Sequence, residues 1–162
     1  MLKNFENIIN RTVQSAQLAM ILEVSAYPKP GNVHRTADFS DTKYEHFLAS
    51  TVAVLPHLRK AALMGVKVAL TKANLPQVRI GNLIKEGVIE TAKWQRGGNT
   101  NLGILILIIP LATATTYTLI KYKDIRRLRE NIRLFTTATT HIDAVDLYEA
   151  IKIAKPGGLG KT

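Results

Sequence analysis

The apolar residues of this chain recur at helical spacing over most of its length. From about Asn4 to Ala26 they fall on one stripe, which predicts a first helix. Two Xaa-Pro pairs, Tyr27-Pro28 and Lys29-Pro30, end this helix, because each proline moves the residue before it out of the helical region. A loop is then predicted as far as Thr42.

The same periodicity predicts further helices downstream. Thr42 and Glu45 have the spacing of a capping box, so a second helix should begin there, pass Pro56 and stop at Gly65. Residues 66–77 fit either a short strand or a helix and loop. Other helices are predicted over Arg79–Trp94, over about Asp124–Thr137, and after the capping-box pair Thr140 and Asp143.

The most apolar segment, Leu102–Ile120, carries no charge over nineteen residues, about the length that crosses a bilayer. Pro110 lies in its middle, and its second half contains four threonines and a tyrosine. A helix buried on all sides of a small helical protein has the same pattern. We therefore expect an all-α, compact multi-helix bundle around this apolar helix, with glycine-rich loops, and we do not expect a membrane protein.

Charge favours an anionic partner. The formal net charge is +10, which suits nucleic acid, a phosphorylated small molecule or an acidic membrane surface. The densest basic run, KYKDIRRLRENIR, is typical of a solvated helix face, and few aromatic residues accompany it, so we do not expect nucleic acid. The chain has no cysteine, and its N-terminus lacks a signal-peptide pattern, which agrees with the cytoplasmic location that we expect.

Three polar stretches with glycine interrupt the helical pattern: PKPGNVHR, GGNTNLG and KPGGLGKT. The last resembles the end of a P-loop, in which glycine, four residues and Gly-Lys-Ser/Thr cradle phosphates. The position five residues before Gly160 is Lys155, however, and a helical segment precedes it where a strand is needed. The P-loop interpretation is therefore rejected.

The first stretch carries residue types that bind phosphate. Lys29 and Arg35 are cations on a path stiffened by two prolines, and Gly31 lets the backbone approach a ligand closely. His34 is a candidate for the same site, although a loop histidine is more often a surface or capping group.

Carboxylates flank this loop on both sides. Glu23 lies one helical turn before it, and Asp38 lies just after it. A carboxylate in such a position can act as a general base or hold Mg²⁺. The alternative for Glu23 is an exposed carboxylate at a helix end.

The second stretch comes directly before the apolar helix. Unpaired amides at a helix N-terminus and the helix dipole both favour an anion, so the Gly98, Asn99, Thr100 and Asn101 segment is a candidate phosphate site. Its asparagine and threonine side chains could add hydrogen bonds. Alternatively, one of these three side chains is simply the helix N-cap.

Read together, EVSAYPKPGNVHR, DFSDTKYEHFLAS and GGNTNLG resemble the triphosphoribosyl-dephospho-CoA synthase family. That family has a helix ending in Glu-Val-Ser, a Pro-Lys-Pro-Gly-x-Val-x-Arg loop and a later Gly-x-Asn-Thr-x-x-Gly sequence. Its loop usually has Asp before the arginine, where this chain has His34. The matching positions are Glu23-Val24-Ser25, Pro28-Lys29-Pro30-Gly31, Val33, Arg35, Phe47, Ser50, Gly97, Asn99, Thr100 and Gly103.

The resemblance implies an all-α enzyme that acts on ATP and dephospho-CoA. In the family's reaction the ribose 2′-hydroxyl of 3′-dephospho-CoA attacks the anomeric carbon of ATP, and adenine leaves. Glu23, and after it Asp38, is then implied as the carboxylate that takes the proton. Lys29, Arg35 and the Gly98–Asn101 amides are implied as phosphate ligands. Mg²⁺ is expected on the triphosphate, with no ligands assigned.

Three alternatives stay open. Family members are longer, so residues 1–162 are expected to form a single all-α domain that represents the N-terminal part of a longer fold. Such a chain could bind a nucleotide or coenzyme without catalysis, and the acceptor could be another phosphorylated small molecule. A basic helical nucleic-acid-binding domain is the third interpretation.

Overall fold

The computed structural model describes residues 2–157, apart from the side chains of Leu2 and Lys3. Over these residues the chain forms seven α-helices and no strand, which confirms the predicted all-α class. The helices are α1 Leu2–Ser25, α2 Tyr44–Ala53, α3 Leu55–Ala69, α4 Ile80–Trp94, α5 Leu102–Lys121, α6 Leu128–Thr137 and α7 His141–Ala154, with 3₁₀ turns at Leu75–Val78 and Ile125–Arg127. Residues 158–162 of the glycine-rich tail lie outside the described part.

The apolar helix α5 is at the centre of the bundle, as predicted. It contacts α1, α3, α4 and α6, and side chains such as Leu105 and Ile109 are fully buried. Its length and composition would also suit a membrane span, but just over half of its most apolar window, 56%, is buried against the other helices. Pro110 lies inside the helix and is itself buried.

Helices α3 and α5 approach each other closely because small residues line their interface. A Cβ added to Gly65 would lie 2.1 Å from the Thr113 carbonyl oxygen, so only glycine fits there. The Thr113 and Thr116 hydroxyls donate across the interface to the carbonyls of Ala61 and Ala62, at 3.2 and 2.7 Å. Threonines that looked polar in sequence are thus fully satisfied core residues.

Three helix boundaries differ from the prediction. The predicted second helix does not continue through Pro56, because α2 ends at Ala53 and a new helix, α3, begins at Leu55. Pro56 occupies the first turn of α3, where its missing N–H costs nothing. Gly65 does not stop α3, which runs on to Ala69 and takes up most of the VKVAL segment. The predicted basic helix over 124–137 is a 3₁₀ turn followed by α6.

The start of α2 is also corrected. We predicted a capping box between Thr42 and Glu45, but the helix begins at Tyr44 and its N-cap is Lys43. The Thr42 hydroxyl instead accepts a hydrogen bond from the backbone N–H of Gly98, which lies outside α2. The backbone N–H of Tyr44, the first residue of α2, donates to Asp38 Oδ1 at 2.9 Å.

Helix α7 packs on α4 through two buried aspartates. The capping box between Thr140 and Asp143 is confirmed, and Asp143 Oδ1 also accepts from the Gly81 backbone N–H at 3.0 Å. Asp146 accepts from the Lys85 ammonium and the Arg79 guanidinium of the opposite element. The Lys85 hydrogen bond, followed by that from Arg79, lowers the pKa of the Asp146 carboxyl below its usual range.

Candidate functional site

The C-terminal end of α1 and the proline-rich loop are joined by an ion pair. The Lys29 ammonium lies 2.6 Å from Glu23 Oε1, and the Lys29 side chain is only 16% exposed whereas that of Glu23 is 46% exposed. Val33 is fully buried and anchors the loop to the bundle. The first-choice carboxylate therefore has a fixed cation beside it and one face open to solvent.

The other candidates of this loop lie on its outer side. Asp38 caps α2 through the Tyr44 backbone N–H, which gives this second-choice carboxylate a structural partner. His34 Nδ1 lies 3.2 Å from the Thr36 hydroxyl, and its ring packs edge-on against Tyr27. Gly31 has a φ of +74°, which favours glycine. Arg35 is exposed.

The glycine-asparagine turn presents backbone donors at the start of α5. The N–H groups of Asn99, Thr100 and Asn101 donate no hydrogen bond to any residue in the range 2–157. The N-cap of α5 is Asn101, one of the three candidates, but its side chain makes no capping bond; Asn99 Oδ1 instead accepts from the Leu102 N–H at 3.1 Å. Three successive donors nevertheless remain available where the helix dipole attracts an anion.

Gly98 is held differently from its neighbours. Its N–H donates to Thr42 Oγ1 at 3.0 Å, and that hydroxyl donates to Asp41 Oδ1 at 3.0 Å. A Cβ on Gly98 would lie 2.7 Å from the Thr42 hydroxyl, so glycine permits this close approach. The Gly98 amide is thus used to fix the turn and is not available to a ligand in this arrangement.

Two buried hydrogen bonds fix the rest of the turn. The Thr100 hydroxyl lies 2.6 Å from the hydroxyl of Ser50 on α2. The Asn101 side-chain amide donates to the hydroxyl of Thr91 on α4 at 2.6 Å. Since all four residues are buried, these hydrogen bonds hold the turn rigidly between two helices.

One side of the turn opens into a cavity of about 440 Å³, here called the turn cavity. Its walls are the turn, one face of α4 and the end of α7. Arg96 and Lys155 bring positive charge to it, and Asp41 brings a carboxylate. Val88, Ala92 and Ile153 form an apolar wall. The volume lies within the range of small-ligand sites, about 300–1,000 Å³.

The opposite side of the turn faces Glu23. A cavity of only about 10 Å³ there has room for about one water molecule and is lined by Glu23, Thr100 and Asn101, together with Met20, Phe47, Thr51 and Ile104. Glu23 therefore lies next to the candidate anion-binding turn. The other candidates of the proline-rich loop line neither of these two cavities: Lys29, Gly31, His34, Arg35 and Asp38.

Sequence reasoning missed the residues that connect the two motifs. Asp41 and Thr42 join the loop to Gly98, and Arg96 and Lys155 supply the charge at the turn cavity. Arg96 directly precedes the glycine pair, and that adjacency was a usable signal. Lys155 opens the third polar stretch, KPGGLGKT, but the sequence did not indicate that it lies at the turn, because its proximity depends on how α7 docks.

The carboxylates of this region fit Mg²⁺ only in part. Within residues 2–157 there is no group of three His, Asp or Glu side chains that would form a protein cage for a metal. Mg²⁺ usually keeps waters and binds through one or two carboxylates plus the phosphates of its substrate. Asp41 is suitably placed for that role, because its carboxylate lines the turn cavity.

Comparison with known proteins gave one family. The family model described as CitG, ATP:dephospho-CoA triphosphoribosyl transferase, matches residues 9–162. No curated protein and no solved structure matched the chain.

Proposed function

This chain belongs to the ATP:dephospho-CoA triphosphoribosyl transferase family, and we propose that it transfers the triphosphoribosyl group of ATP to dephospho-CoA. In that reaction the acceptor ribose 2′-hydroxyl loses its proton and its oxygen forms a bond to the anomeric carbon of ATP. The bond between that carbon and adenine breaks, and adenine leaves with the bonding electrons and takes up a proton. The triphosphate stays on the transferred sugar.

The observation that carries this proposal is the set of unbonded amides at the turn, next to two cations. The N–H groups of Asn99, Thr100 and Asn101 would bind phosphate oxygens, and Arg96 and Lys155 would neutralise their charge. A triphosphate needs several such groups at once. The apolar wall of the turn cavity would cover an uncharged part of the nucleotide.

Glu23 is the base in this proposal. Its carboxylate is open to solvent on one side and held by Lys29 on the other, so it can approach a bound hydroxyl without losing its orientation. The same negative charge would stabilise the positive charge that develops on the sugar as adenine leaves. Asp38 is the weaker candidate, because it already caps α2.

Mg²⁺ would accompany the triphosphate, with Asp41 as its protein ligand. When bound, it would neutralise phosphate charge and orient the chain of phosphates. The residues of this chain would keep the remaining tasks of positioning and proton transfer.

The test is adenine release from ATP on addition of dephospho-CoA, followed by chromatography. Glu23→Gln is expected to leave ATP binding intact and to lower the rate by about 10²–10⁴-fold, the usual contribution of a general base. Glu130→Gln, which changes an exposed glutamate on α6, is the matched control and should react at the wild-type rate.

The possible outcomes separate the interpretations. A normal rate in Glu23→Gln would disqualify this carboxylate as the base. Thermal stabilisation by ATP without any adenine release would favour a non-catalytic nucleotide binder. A steep salt dependence of binding to DNA or RNA, again without adenine release, would favour nucleic-acid binding.

A further inference from the structure

A second cavity, of about 460 Å³, runs along the seam between α1 and α5. We name it the α1–α5 groove. Its floor is apolar and consists mostly of small or branched side chains, among them Ile8, Ala16, Ala19, Ile108 and Ala112. Nothing in the proposed chemistry of the turn uses this space.

One edge of the groove is polar. Asn4, Asn7, Arg11 and Ser15 all line it, and their spacing of three or four residues places them in one row along α1. Their side chains make no hydrogen bond with any other residue whose side chain is described. The groove therefore offers an apolar floor beside a row of unused donors and acceptors.

The groove lies one helical turn from the small Glu23 cavity, along the same seam between α1 and α5. Its near end is formed by Ala19 and Ile108, each one helical turn from a residue of the small Glu23 cavity, namely Glu23 itself and Ile104. The two helices are antiparallel here, since early residues of α5 lie beside late residues of α1. The two cavities share no lining residue, so a ligand that reaches from Glu23 into the groove would cross one helical turn of the seam between α1 and α5.

We propose that the α1–α5 groove binds the pantetheine arm of dephospho-CoA. The inference rests on the proposed function, which brings the acceptor ribose to Glu23. The arm is a narrow chain with two amides, a hydroxyl and a gem-dimethyl group, so it presents polar and apolar groups in alternation. The polar row would bond its amides, and the floor would cover its methyl and methylene groups.

The dimensions agree with this occupant. The α5 side of the groove runs from Ile108 to Leu119, about 16 Å at 1.5 Å per residue. The arm is about as long as four extended residues, ~14 Å. A chain of that length fits within the groove, and the diphosphate that links the arm to the nucleoside would span the helical turn of about 6 Å between Ile108 and Ile104.

The first test compares acceptors with and without the arm. Wild-type protein is expected to bind dephospho-CoA about tenfold or more tightly than ADP, which lacks the arm. Ala19→Leu places a bulky side chain at the near end of the groove and should remove this preference while leaving the affinities for ADP and ATP unchanged. Gln14→Leu, on an exposed face of the same helix outside the groove, is the control and should retain the preference.

A second test uses the wild-type chain alone and does not depend on any variant folding. In methyl NMR spectra, pantetheine should shift the signals of Ala16 and Ala112 and leave that of Ala150 on α7 unchanged. Unshifted Ala16 and Ala112 signals, or an unchanged preference in Ala19→Leu, would overturn the proposal. So would a dimer in solution that Ala19→Leu dissociates, because a second copy of the chain would then occupy the groove.

The assignment of the groove and the proposed reaction can be overturned independently. Adenine release with no effect of pantetheine on the groove signals would overturn the groove assignment and leave the proposed transferase reaction intact. Shifts of the groove signals without adenine release would support the arm site and count against the reaction.

Discussion

Gly65→Ala should destabilise the protein strongly, although it replaces a glycine inside a helix. In most helices this change is favourable by about 1 kcal/mol, because alanine restricts the unfolded backbone and has the better helix propensity. Here the new Cβ would lie 2.1 Å from the Thr113 carbonyl oxygen and 2.2 Å from the Thr116 hydroxyl oxygen. Both atoms belong to α5, so the substitution acts on the α3–α5 interface.

The magnitude follows from the geometry. A carbon and an oxygen normally approach to roughly 3.3–3.6 Å, so α3 and α5 would have to separate by about 1 Å. That shift weakens the two hydrogen bonds that the Thr113 and Thr116 hydroxyls make to α3, each contributing about 1 kcal/mol. Overpacking adds about 1–3 kcal/mol, and after the gain in helix propensity the net loss is about 2–4 kcal/mol.

Urea unfolding followed by circular dichroism measures this loss directly. Gly103→Ala is the matched control, because Gly103 lies in the first turn of α5 and a Cβ there would meet no atom within 4 Å. The control should be unchanged or slightly more stable. A Gly65→Ala variant as stable as the wild type would refute the claim that this glycine sets the distance between the helices.

Three further predictions concern the site and its support. Thr42→Val keeps the shape of the side chain but leaves the Gly98 N–H unpaired, so it should cost about 1–3 kcal/mol of stability and weaken ATP binding. Thermal denaturation with and without ATP measures both effects, and Thr42→Ser, which retains the hydroxyl, should be nearly neutral. Asp146→Asn should reduce the acid sensitivity of the fold. Because the pKa of Asp146 is lowered in the folded state, its stabilisation is present above the usual carboxyl pKa, about 4, and is lost as pH falls below it. The urea midpoints at pH 7 and pH 3 should therefore lie closer together in the variant than in the wild type. Arg96→Ala and Lys155→Ala should each weaken ATP binding by about 1–3 kcal/mol in calorimetric titrations, whereas Arg35→Ala should not, because Arg35 lines neither cavity; unchanged affinity in both of the first two variants would remove the turn cavity from the site.

The central helix was predictable because its signal is local. An uncharged apolar run such as 102–120 must be enclosed in a soluble fold or in a membrane, and periodicity then identifies its neighbours. Boundaries were predicted less well. Gly65 looked like a stop, but burial against Thr113 made glycine necessary in mid-helix. Thr42 looked like a cap, but its hydroxyl found a distant partner in Gly98.

The sequence by itself determined which segments are helical and which two loops carry phosphate-binding residue types, since both properties depend on residues a few positions apart. Tertiary structure decided the rest. It placed Glu23 on one side of the Asn99–Asn101 turn and Lys155 on the other, committed the Gly98 amide to Thr42, and opened a groove beside α1. These arrangements join residues more than fifty positions apart, and their geometry depends on how side chains interlock when the helices pack, which no local pattern encodes.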